Sequence, residues 1–62
     1  MTLDEARAAI GHGVVYDPGH GPVEDGVIVG VSLSYAFVRY RGDEAAKATR
    51  PEDLTLLGDR RG

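Results

Sequence analysis

The stretch from Gly26 to Arg41 constrains this chain more than any other part of it. Val27, Val29, Val31 and Leu33 alternate with Ile28, Gly30 and Ser32. Further on, Ala36, Val38 and Tyr40 alternate with Tyr35, Phe37, Arg39 and Arg41. Successive side chains of a strand point to opposite faces, so each run reads as a β-strand with one apolar face. Ser32-Leu33-Ser34 between them is short enough to be a hairpin connection. A lone hairpin is marginal in water, so further strands or a helix must cover its apolar side.

The remaining segments supply that cover. Val14-Val15-Tyr16 is a short β-prone run, ended by Asp17-Pro18-Gly19, whose proline and glycine suit a type II turn. Ala45 to Arg50 reads as a fourth strand, although its alanines also fit a helical turn. Pro51-Glu52-Asp53-Leu54 has the form of one 3-10 turn, with proline where a missing N–H does no harm. Thr55-Leu56-Leu57 then makes a last strand. Before all of these, Thr2-Leu3-Asp4-Glu5 has the form of a capping box, and good helix formers follow it. The spacing places Leu3, Ala6 and Ile10 on one helix face, and Gly11 ends the helix.

The expected fold is therefore all-β: a small SH3-like barrel of about five short antiparallel strands, a short N-terminal α-helix and a 3-10 turn before the last strand. The domain is 1–57, with the helix at 2–10 and the barrel at 13–57, and 58–62 is a flexible tail. Val27, Val29, Val31, Leu33, Val38 and Tyr40 form the expected core, joined by Val14, Leu54 and Leu56. Ile28 is expected on the opposite face. Gly30 marks the place for a bend or bulge.

Composition narrows the class. The chain has 62 residues and no cysteine, so neither a disulfide nor a thiolate metal site can reinforce a domain of this size. Met1 to Glu5 lacks a basic, then apolar, leader, and no apolar run approaches the roughly 20 residues of a membrane span. The expectation is a cytoplasmic protein with no membrane contact. The net charge of −3 weighs against non-specific nucleic-acid binding.

Three segments together resemble a known group. Gly26-Val27-Ile28-Val29, Tyr35-Ala36-Phe37-Val38-Arg39-Tyr40 and Lys47-Ala48-Thr49-Arg50-Pro51-Glu52-Asp53-Leu54 look like small uncharacterised proteins of actinobacterial phages and prophages. The likeness covers roughly residues 10 to 57, with Ile28 and Ala36 as mild departures. It implies an SH3-like barrel and a phage source, and it brings no activity with it. A residue usage of six Arg, one Lys and neither Asn nor Gln agrees with a GC-rich coding genome.

No catalytic constellation is visible. His12, His20 and Asp17 offer at most three ligands, whereas a structural zinc site takes four. The Gly-His-Gly triplets at 11–13 and 19–21 are not phosphate loops. Asp4/Glu5, Glu24/Asp25, Asp43/Glu44 and Glu52/Asp53 are adjacent acids in turns or at a helix start, unlike the split pair that acid–base catalysis needs. No histidine lies near Ser32, Ser34, Thr49 or Thr55 in sequence. The expectation is a non-enzyme without cofactor or metal.

The candidate binding residues are Tyr35, Phe37, Arg39 and Arg41 on one strand face, with Lys47 and Arg50. Aromatic and arginine side chains dominate protein interfaces. The same mix can also stack bases and neutralise phosphates. Another protein is the first expected partner, nucleic acid the second, and a second copy of the chain the third. The bland alternative has the helix covering Phe37 with Leu3 and Ile10, and the arginines paired at the rim.

Overall fold

The computed structural model describes residues 1–57, so the expected tail at 58–62 lies outside the described residues. Helix α1 spans Leu3–Ala8, followed by β1 (Gly13–Tyr16), β2 (Glu24–Val31), β3 (Ala36–Tyr40) and β4 (Lys47–Thr49). A 3-10 turn over Pro51–Asp53 leads directly into β5 (Leu54–Leu56). All pairings are antiparallel, in the order β4-β3-β2-β1-β5. Among the described residues no ladder joins β4 to β5, so the strands form one open sheet rather than a closed barrel. Both edge strands are only three residues long, which limits the template they offer to other chains.

The local chemistry of α1 follows its first residues. Thr2 is the N-cap: its hydroxyl accepts from the Glu5 amide at 3.1 Å, and the Glu5 carboxylate accepts from the Thr2 amide at 2.7 Å. The helix is shorter than the expected 2–10. Gly11, at a φ of 90°, turns the chain away from it and donates its amide to the Ile28 carbonyl. Competition from the β2 backbone therefore ends the helix before Ile10 can join it.

The core lies on one face of the sheet, where Ala6 of α1 and its C-cap Ala9 meet Val14, Ile28, Ala36, Val38, Tyr40 and Leu54. Two expectations are corrected here. The helix does not dock through Leu3 and Ile10; Ile10 is 44% exposed and the alanines make the buried contact. Small side chains let the helix backbone approach the sheet closely, which a Leu/Ile ridge would prevent. The helix also takes the face of Val38 and Tyr40, not that of Phe37.

The second correction concerns β2. Ile28 is fully buried, whereas Val27, Val29 and Leu33 are 37%, 48% and 96% exposed. For Val27 and Val29 the cause is a bulge, whereas Leu33 sits in the turn after β2. From the turn, Val31 pairs with Ala36 and Gly30 with Phe37, but the register then shifts so that Ile28 pairs with Val38 and Val27 with Arg39. Val29 is the extra residue. Without it, straight counting would set Val29 against Val38 and Val27 against Tyr40, giving the expected core. One inserted residue reverses the faces of everything before it.

Two contacts close the ends of this core. The Met1 ammonium donates to the carbonyls of Pro51 and Leu54 at 2.8 and 3.1 Å, tying the start of the described chain to the 3-10 turn and β5. The Tyr40 hydroxyl and Thr49 Oγ1 share a buried 2.8 Å hydrogen bond. The ring of Tyr40 meets that of Tyr16 edge-on at 6.0 Å. No helix is long and apolar enough to cross a membrane among the described residues.

Candidate functional site

Because α1 occupies the core side, much of the opposite face of the sheet is left exposed, Val15 and the partly buried Phe37 excepted. Three cross-strand rows build it. At one end Phe37 stands between Gly30 on β2 and Ala48 on β4. The residues paired with it on both sides are small, and the ring is partly buried. Tyr35, 45% exposed, stands just before β3, held by the turn in which Ser32 Oγ accepts from the Tyr35 amide at 3.0 Å.

The middle row runs Gly13, Val27, Arg39 across β1, β2 and β3. Leu57 leans over Gly13, so close that a Cβ there would meet Leu57 Cδ1 at 2.8 Å. These residues border an open hollow of about 470 Å³, which Asp25, Arg41 and Asp43 complete on its polar side. The third row holds Val15 and Asp25, with Arg41 beyond β3 donating its amide to the Asp25 carbonyl.

Electrostatics separate the cations. Arg41 donates to Asp25 Oδ2 at 2.8 Å. Lys47 lies 3.4 Å from Asp43, and Arg50 lies 3.7 Å from Glu52. Arg7 pairs with Asp4 at 3.0 Å. Among the described arginine and lysine side chains only Arg39 has no acidic partner.

The six residues singled out from the sequence thus divide. Tyr35, Phe37, Arg39 and Arg41 follow one another along the open face. Lys47 pairs with Val38 on the other face, and with Arg50 it borders a separate cleft of about 340 Å³ beside Tyr16, Glu24 and Tyr40. Sequence reasoning missed Val27, Gly13 and Leu57 as parts of the open face. The available signal was Gly30, whose bulge carries Val27 out of the core.

A further groove of about 460 Å³ lies between α1 and β5. Glu5 and His12 are its titratable members, and Glu5 is already engaged with the Thr2 amide. Among the described residues no three His, Cys, Asp or Glu side chains gather to hold a metal ion. Nor does any buried side-chain polar atom there lack a hydrogen-bond partner. No family model, curated protein or solved structure matches the chain.

Proposed function

We propose that this chain is a small non-enzymatic protein-interaction module, a phage accessory protein that engages a host or phage protein through the open face of its sheet. The observation that carries the reading is the line Tyr35, Phe37, Arg39 beside Val27 and Val29, an aromatic and apolar strip that the helix leaves uncovered. Exposed apolar strips with aromatic and arginine members are the usual composition of binding hot spots. The strand order, with a 3-10 turn before the last strand, supports an SH3-like connectivity.

Nucleic acid is the weaker alternative. Arg41, Lys47 and Arg50 are each engaged by an acid, and Lys47 belongs to the other face, so among the described residues no cationic stripe runs beside the aromatics. Self-association is the third reading, testable by light scattering.

The deciding experiment is affinity purification with the wild-type chain, Phe37→Ala and Arg39→Ala, each first checked for a native thermal melt. A partner retained by wild type and lost by both variants supports the face. Partners that bind all three equally refute it.

A further inference from the structure

We infer that the hollow beside Arg39 receives an acidic side chain from an extended partner segment, with an apolar side chain two residues away resting on Phe37. This names the chemistry of the partner and rests on the interaction reading above.

Charge complementarity is the first argument. Arg39 is the one described arginine or lysine side chain without an acid, in a chain whose overall charge is negative. The acids that border the hollow are already matched, Asp25 by Arg41 and Asp43 by Lys47. The charged side chains that border the hollow, Asp25, Asp43, Arg39 and Arg41, balance in number, but Arg41 engages Asp25 and Lys47 reaches Asp43 from the other face, so Arg39 is left unmatched among the described residues.

The surroundings are the second argument. Val27 stands directly across from Arg39, and Leu57 closes the row beyond Gly13. A carboxylate entering there would meet the guanidinium beside an apolar wall of Val27 and Leu57, with Asp25, Arg41 and Asp43 on the polar side of the hollow. Arginine can hold a carboxylate through two parallel hydrogen bonds, which fixes orientation as well as charge.

Spacing is the third argument. Arg39 and Phe37 are two residues apart on one strand face, about 6.6 Å along the strand. An extended segment has the same repeat on one side. Its acid on Arg39 therefore sets the side chain two positions away over Phe37, where Gly30 and Ala48 leave room beside the ring.

The test is selection of displayed random peptides on the full chain at low salt. The expected binders carry Asp or Glu two positions from an apolar residue. Arg39→Gln should weaken a selected peptide about tenfold, and Arg39→Glu should select Lys or Arg at the same position. Binding to wild type should also weaken as salt rises. Peptides without acidic enrichment that are lost in Phe37→Ala but unaffected by Arg39→Gln would overturn the acidic partner and leave the interaction face standing. Failure to select any peptide would overturn both. A concentration-dependent dimer that Arg39→Gln dissolves would make the occupant a second copy, and would also overturn this assignment.

Discussion

The bulge at Val29 makes a quantitative prediction, because it decides which branched side chains of β2 stabilise the fold. Ile28 is fully buried between Val14, Val38 and the alanines Ala6 and Ala9, whereas Val29 is about half exposed. Truncating a buried isoleucine to alanine costs about 2–5 kcal/mol. A chain of 62 residues has only about 3–9 kcal/mol of total stability, so Ile28→Ala risks unfolding it. Ile28→Val removes one methylene at a cost of about 1 kcal/mol. With a urea dependence of about 1 kcal/mol per molar for a domain this small, the midpoint should fall by about 1 M. Val29→Ala should stay within about 0.5 kcal/mol of wild type. Far-UV circular dichroism and tyrosine fluorescence would follow both transitions, and unchanged slopes would show that only stability moved. A Val29→Ala midpoint that falls further than that of Ile28→Val would refute the register shift, and with it the exposure of Val27 beside Arg39.

Other contacts give further expectations. A Cβ at Gly26 would lie 2.6 Å from the Arg39 carbonyl oxygen and 3.0 Å from the Tyr40 Cα, neither of which can swing aside; Gly26→Ala should cost about 3 kcal/mol in urea unfolding. Thr2→Ala removes the capping box and should cost about 1 kcal/mol, which Thr2→Ser restores. Burial holds the Tyr40 phenol above its ordinary value of 10.0, with the Thr49 hydrogen bond working against that rise. Above pH 10 the unfolded chain therefore loses this proton first, so the stability it contributes is complete below that pH and falls as pH rises toward the folded-state value. Tyr40→Phe should flatten that part of the alkaline unfolding profile, and an unchanged slope would show that Tyr40 does not cause it.

Much of the architecture was legible because it rests on local chemistry. The capping box at Thr2 and Glu5, the alternation in β3 and the proline of the 3-10 turn each need only near neighbours. Ala36, Val38 and Tyr40 were assigned to the buried face correctly, and so was Val31, which lies on the turn side of the bulge. Val27 and Val29 were misassigned because a period of two cannot show where one residue is skipped. Gly30 pointed to the irregularity, but the reversal of faces appears only when β2 is paired with β3. The helix was misjudged for a different reason. Its largest apolar residues looked like the docking face, yet close approach to a sheet favours Ala6 and Ala9. Those contacts depend on the distance between elements, which spacing along the helix does not encode.

The size of the chain gives the open face its meaning. Among the described residues one short helix covers only one side of a five-stranded sheet, and on the other side Val27, Val29, Tyr35 and Arg39 are exposed. A face built only for solvent would be expected to alternate charges along β3 and its neighbours. Here the strand presents Phe37 between a glycine and an alanine, then Arg39 beside Val27 without an acid. On the same strand, side chains facing α1 are packed, and the buried polar pair Tyr40 and Thr49 is hydrogen-bonded. Satisfaction on the inner face and vacancy on the outer face are thus set by alternate residues of one five-residue strand. The bulge at Val29 links them: by turning Ile28 inward to complete the core, it turns Val27 outward to stand against Arg39. A substitution that straightened β2 would therefore alter core and binding face together, whereas a variant at Arg39, exposed and outside the core cluster, separates binding from folding.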